Sequence, residues 1–165
     1  DAIVPLMASR PKLHLVFVGG GSPVFEQTQD YVATLGLQDR IHLMGMRRDV
    51  PNLLAGFDVF ALATQQEASG TVYVEAQASG LPVIGTDVGG VSEMFRNGET
   101  GILVPPKNPQ ALTEALQRLI DDPALRRRMG DAGRKMVWEE AVFSPARLAE
   151  TTEAVYWKWL AERAG

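Results

Sequence analysis

Cysteine is absent from all 165 residues of the chain. That excludes disulfides and thiolate metal sites, and it fits a reducing compartment. Basic charge is not in excess. Sixteen Lys and Arg against 20 Asp and Glu leave a formal net charge of −4, so the chain carries no electrostatic footprint for nucleic acid, and none is expected as a partner. No apolar run approaches the roughly 20 residues of a membrane-spanning helix, and the N-terminal residues lack a signal-peptide pattern. Only two histidines occur, His14 and His42. Both fall inside strand patterns, where a satisfied or edge-exposed strand residue is the ordinary reading and a catalytic base or metal ligand is not. No repeat or low-complexity tract is visible.

What is present suffices for one domain with a substantial core, since 45% of the residues are hydrophobic and that share is ordinary for a globular protein. Short apolar runs at 13–18, 41–44, 58–63, 82–86 and 101–104 read as buried strands,. Between them lie helical patterns at 25–35, 50–57 and 71–79, followed by helices at 108–120, from Pro123, and from Ser144. Strand and helix in alternation predict an α/β fold, a Rossmann-like doubly wound parallel sheet with helices on both faces. The chain opens at Asp1 within what reads as a helix ended by Pro11,, so it is expected to be part of something longer.

The stretch 67–90, EASGTVYVEAQASGLPVIGTDVGG, is the densest in chemical signals. It follows a predicted buried strand, and ligands of open α/β sheets bind beyond the carboxyl ends of the strands. Ser69 and Gly70 offer small, permissive backbone before a helix that Gly80 closes at the position favoured for a left-handed cap. Free amides at Gly70, Thr71 and Val72, with the positive end of the helix dipole behind them, predict an anion site. Glu75 lies four residues after Thr71, hence on the same helix face one turn down. A carboxylate there suits a vicinal diol, whose two hydroxyls donate to its two oxygens. The bland alternative is a solvated surface glutamate, a helix start and a tight turn.

Two further loops fall at the same predicted sheet edge. Gly19-Gly20-Gly21 follows the first strand as a phosphate loop would, yet Val24 stands where a dinucleotide fingerprint needs its third glycine,. Close approach of Gly20 and Gly21 to a ligand competes with a plain strand-to-helix turn. Arg47 is a candidate for stacking on a nucleobase, against the alternative of solvated arginines before a helix capped by Asp49. Arg126, Arg127 and Arg128 read as a solvated face, given their acidic neighbours. Leu148, Thr152, Val155, Tyr156 and Trp159 form one stripe of the last helix, with Trp157 and Leu160 elsewhere. A helix apolar on more than one face calls for more than one partner surface.

Glu67 and Glu75, Ala76, Gly80 with Pro82, Gly89-Gly90-Val91-Ser92-Glu93 and the run Asn97 to Pro106 together resemble the retaining family 4 glycosyltransferases of the GT-B fold. The resemblance covers nearly the whole chain and implies the donor-binding C-terminal half of such an enzyme. It implies a nucleotide diphosphate sugar as donor, no metal and no cofactor. Under it, Glu75 grips the ribose diol, amides near Gly70, Thr71 and Val72 hold the diphosphate, and Ser69 lies beside the sugar. Glu67 contacts the donor sugar near its anomeric centre, as a positioning group rather than a nucleophile. Contact by Gly20, Gly21 and Arg47 is favoured as well.

Residues 1–165 are expected to be a single nucleotide-sugar-binding domain, lacking the acceptor-binding N-terminal domain and the first strand of its own. The helix 144–163 is expected to pack on that missing half, which would bind a sugar or lipid-linked acceptor. The fragment alone is expected to be inactive. The full enzyme is placed in the cytoplasm, with peripheral attachment to the inner face of the membrane left open. Two departures stand out. Glu67-Ala68-Ser69-Gly70 replaces the family's usual Glu-Gly-Phe-Gly, and neither Arg10 nor Lys12 matches the basic pair that neutralises the diphosphate. Two alternatives remain, a GT-B nucleotide-sugar epimerase and a non-catalytic Rossmann-like nucleotide-binding module.

Overall fold

In the computed structural model, which describes residues 1–163, helix ends and turns lie where local chemistry puts them. Contacts divide the chain into two units, Asp1–Leu53 and the remainder from Leu54.

The first unit contains α1 (Val4–Ala8), β1 (Leu15–Phe17), α2 (Val24–Leu35) and β2 (Ile41–Leu43), and most of the short α3 (Val50–Leu54). β1 and β2 pair in parallel, Leu15 opposite Ile41 and Phe17 opposite Leu43. Gly36 ends α2 in the left-handed region, at φ 65°. Met7, Val32 and Ile41 are the buried centre, with Leu13, Leu15, Leu35, Leu37 and Leu43 packed around them. Arg40 ties the ends of this unit together by donating from Nη1 to the carbonyls of Met7 and Arg10, at 2.9 and 3.2 Å. The two histidines satisfy each other: His14 Nδ1 and His42 Nε2 are 3.0 Å apart and their rings stack at 5.3 Å.

The second unit holds β3 (Phe60–Leu62), α4 (Thr71–Ala78), β4 (Val83–Thr86), α5 (Val91–Met94), β5 (Gly101–Val104), α6 (Pro109–Asp121), α7 (Pro123–Trp138) and α8 (Pro145–Arg163). Its parallel sheet has the order β3-β4-β5. β4 is central and buried along its whole length, as the inner strand of a parallel sheet is expected to be. Most strands are shorter than the apolar runs that predicted them.

Side-chain caps start the later helices. Asn108 accepts from the Ala111 amide at 3.0 Å, Asp122 from the Leu125 amide at 2.9 Å, and Ser144 Oγ from the Arg147 amide at 3.1 Å. Losing the middle cap in Asp122→Ala is expected to cost about 1 kcal/mol, read as a lowered urea midpoint with an unchanged slope.

Arg126 corrects the sequence reading of its triplet. Its Nη1 donates to the carbonyls of Leu119 and Ile120 at 2.7 and 2.8 Å, closing the last turn of α6, whereas Arg127 and Arg128 are exposed. α8 has no buried residue. Leu148, Val155, Tyr156, Trp157, Trp159 and Leu160 are all exposed, so the stripe read from the sequence is not buried among the described residues. Among those residues, no helix is long and apolar enough to cross a membrane.

Candidate functional site

The segment that leaves β3 is fixed at each step. Thr86 Oγ1, at the end of β4, donates to the Thr64 carbonyl at 2.6 Å. Thr64 Oγ1 in turn donates to the Gln66 carbonyl at 2.7 Å and accepts from the Gln66 amide at 3.3 Å. Glu67 comes next, half-buried, and its Oε1 accepts from the Gly70 amide at 3.0 Å. The Gly90 amide reaches the Glu67 carbonyl at 3.3 Å. This approach requires glycine, because a Cβ on Gly89, at φ +51°, would lie 1.9 Å from that carbonyl oxygen.

One expectation is corrected here. The Gly70 amide is not free: the Glu67 carboxylate occupies it, since a carboxylate three residues before an open helix start is the nearest strong acceptor. Thr71 and Val72 hold the first positions of α4, where an α-helix offers their amides no acceptor of its own. Glu75 is exposed one turn further on, and Ser69 and Thr71 are exposed beside it. Glu67, Ser69, Gly70, Thr71, Val72 and Glu75 are thus gathered at the start of one helix, beyond the carboxyl end of β3.

The residue that sequence reasoning missed is Tyr73. It is fully buried, its ring lies edge-on to Phe60 at 5.6 Å and tilted against Phe95 at 5.5 Å, and its hydroxyl donates to the Leu62 carbonyl at 2.9 Å. Gly70 rests on the ring, for a Cβ there would be 2.8 Å from Tyr73 Cδ2. Tyr73 therefore sets the height of the helix start above the sheet. The available signal was a glycine followed three residues later by the only aromatic residue of a short helix. Burial, and secondly the charge of Glu67, push its hydroxyl up to about 12. The ordinary value is near 10, so the folded state holds this proton more tightly than the unfolded one. The stability this confers is complete below pH 10 and is lost as pH rises from 10 towards 12. Tyr73→Phe is expected to flatten that alkaline loss, measured as urea midpoints at pH 8, 10 and 11.5, and to cost about 1–2 kcal/mol at neutral pH through the orphaned Leu62 carbonyl.

Gly20, Gly21 and Arg47 belong to the first unit. The Gly19 amide donates to the Gly45 carbonyl at 2.8 Å, and a Cβ on Gly20 would touch the Met46 nitrogen at 3.6 Å. The glycine turn after β1 and the loop after β2 therefore stand side by side. Arg47 is held by Asp49 in a two-pronged bond, Nε to Oδ1 at 2.8 Å and Nη2 to Oδ2 at 2.6 Å. The pair raises the guanidinium pKa and lowers that of the carboxyl. An Asp49 cap on α3 belonged to the alternative reading; its side chain serves Arg47 instead, and only its backbone carbonyl accepts from Asn52 and Leu53. The fork engages the edge of the guanidinium and leaves its flat faces available for stacking.

Residues 2–136 match the family model described as glycosyl transferases group 1. The N-acetyl-alpha-D-glucosaminyl L-malate synthase of Bacillus anthracis is 34% identical over 143 residues, covering 87% of this chain and 37% of that protein. The sucrose-phosphate synthase of Thermosynechococcus elongatus superimposes with a TM-score of 0.79 at 31% identity, over 98% of this chain and 42% of that one. HepE of Anabaena, solved in complex with UDP, does so with a TM-score of 0.79 at 25% identity, over 93% of this chain and 44% of its own. The chain thus spans well under half the length of these similar proteins.

Proposed function

The chain belongs to the glycosyl transferases group 1 family, and we propose that it forms the donor site of an enzyme that transfers a sugar from a nucleoside diphosphate to an acceptor with retention at the anomeric carbon. The observation that carries this reading is the bond from the Gly70 amide to the Glu67 carboxylate. It holds an acid at the mouth of a helix start whose next two amides remain available to phosphate oxygens.

The roles divide by chemistry. Thr71 and Val72 amides bind the diphosphate and stabilise its charge as the bond from the anomeric carbon to phosphate breaks. Glu75 accepts from the two ribose hydroxyls. Glu67, with one oxygen committed to Gly70, positions the donor sugar through the other rather than attacking it. Gly70 and Ser69 let the sugar come close. Taken by itself, the first unit offers the flat faces of Arg47 for stacking on a base, and Gly20 and Gly21 as backbone that a nucleotide could approach closely. No metal is invoked, since the helix start neutralises the leaving group.

A UDP-bound neighbour favours a nucleotide-sugar donor. A sugar or lipid-linked acceptor is assigned to a further domain of the whole protein, on which the apolar faces of α8 pack. The enzyme is placed in the cytoplasm, with peripheral attachment to the inner membrane face.

The test is a ligand-observed NMR titration of the chain with UDP, GDP, ADP and NAD, repeated on Glu75→Ala. One nucleoside diphosphate is expected to bind. The substitution is expected to weaken it by about 10- to 100-fold, the loss of a charge-assisted pair worth roughly 1.5–3 kcal/mol. Undiminished binding in Glu75→Ala would remove the diol-gripping role, and NAD binding that survives it would replace the reading with a dinucleotide module.

A further inference from the structure

Beyond the carboxyl ends of β3, β4 and β5 the second unit contains an open cavity of about 600 Å³, lined by Thr64, Gln65, Gln66, Val88, Pro106 and Lys107. Its walls are contiguous with the site already described. Gln66 precedes Glu67 in the chain, and Val88 precedes Gly89, whose backbone rests on the Glu67 carbonyl. No carboxylate lines it, and its charge is the Lys107 ammonium. Among the described residues no acid pairs with that ammonium, nor do the carboxamides of Gln65 and Gln66 have hydrogen-bond partners there. The cavity therefore presents one cation and two free amides to whatever enters it.

Lys107 is also out of place by backbone chemistry. Its φ of 55° lies in the left-handed region, which a residue with a Cβ enters at a cost and glycine enters freely. The helix that follows does not need a lysine there, since Asn108 alone caps α6. A strained residue with an uncommitted charge, aimed at a polar cavity one peptide from the site, is what a ligand contact looks like.

We propose that Lys107, with Gln65 and Gln66, binds an anionic group, phosphate or carboxylate, carried by the acceptor. Naming the acceptor rests on the donor reading above; the anion site itself does not. The geometry supplies the rest: donor phosphates are assigned to the start of α4, so a second anion beside Glu67 on the cavity side belongs to the other substrate. Lys107 donates up to three hydrogen bonds and each glutamine amide two, enough to surround a phosphate monoester without help from the protein's other cations.

The chain has four lysines, Lys12, Lys107, Lys135 and Lys158, so labelling with ¹³Cε-lysine gives few signals and leaves the ammonium unmodified, and these are assigned by single Lys→Gln variants. Inorganic phosphate is titrated with the nucleoside diphosphate already at saturation. The Lys107 signal is expected to follow a saturable curve while the other three drift linearly. The curve is expected to persist in Glu75→Ala and to weaken at least five-fold in the double variant Gln65→Ala/Gln66→Ala. A second titration with succinate decides between phosphate and carboxylate, whichever saturates at lower concentration.

Lys107→Gly is expected to melt at a higher temperature than the parent, because the strain is relieved. A linear Lys107 response, a curve indifferent to the glutamines, or a Lys107→Gly chain that melts no higher would each overturn the proposal. Absence of nucleotide binding with the Lys107 curve intact would count against the donor reading alone.

Discussion

A Gly89→Ala chain is expected to keep its affinity for the free nucleoside diphosphate while losing about ten-fold or more of its affinity for the corresponding nucleotide sugar. The added methyl would stand 1.9 Å from the Glu67 carbonyl oxygen, with backbone at φ +51°, and neither atom is the end of a flexible side chain. The loop must move, and the bond from the Gly90 amide to that carbonyl, now 3.3 Å, breaks. Glu67 then leaves the position from which its second oxygen is proposed to address the sugar, whereas Thr71, Val72 and Glu75 stay anchored through α4. A displacement of about 1 Å at a positioning group is enough for an effect of this size. Calorimetric titration with the diphosphate and with its sugar measures the split. Equal weakening of both ligands would mean that the glycine pair supports the whole site, and no change in either would mean that Glu67 does not touch the sugar.

The contrast between these two glycines and Gly80 marks how far the chain could be read without coordinates. Gly80 adopts φ 82° with open space where a Cβ would stand, so its own requirement for glycine is local: a helix ends there, and only the backbone decides. The same locality made the helix starts at Asn108 and Ser144 legible, together with the central strand. The gathering of Glu67, Gly70, Thr71, Val72 and Glu75 at one helix start followed from spacing alone.

Gly89 and Gly90 belong to another kind, because what forbids a side chain there is backbone 20 or more residues away, the carbonyls of Glu67 and Ala68. Tyr73 escaped for the same reason: its partners Phe60 and Leu62 of β3 and Phe95 after α5 come from two other segments. The Glu67–Gly70 bond was local but was hidden by a competing choice. A glutamate near a helix start serves either the ligand or the helix, and spacing does not decide between them. Arg47 and Asp49 show the same ambiguity resolved in the opposite sense, with the acid drawn from the helix to the nearer cation.

Gly130→Ala is expected to cost about 3 kcal/mol or more. α7 crosses α4 at two glycines. A Cβ on Gly130 would lie 2.1 Å from the Gly80 carbonyl oxygen, and one on Gly133 would lie 3.0 Å from Gln77 Cγ. The second contact ends on a side chain, but Gln77 has little room to yield. It is fully buried, and its Nε2 donates to the carbonyls of Tyr73 and Met94 at 3.1 and 2.8 Å. At Gly130 the obstacle is backbone, so the helices must separate and the interlocked packing beneath them is lost, beyond the roughly 1–3 kcal/mol of ordinary overpacking.

Trp138 reports the event directly, because its indole N–H donates to the Ala78 carbonyl at 3.1 Å across the same interface. In a Trp157→Phe/Trp159→Phe background its fluorescence follows urea unfolding of the second unit alone. The expected result is a midpoint lowered by an amount equivalent to that cost, with Gly133→Ala less affected than Gly130→Ala. The reverse order would show that Gln77, not the Gly80 turn, sets the approach of the two helices. Because α4 carries the site at its other end, any nucleotide affinity lost in Gly130→Ala would measure how rigidly the helix transmits a shift from its last turn to its first.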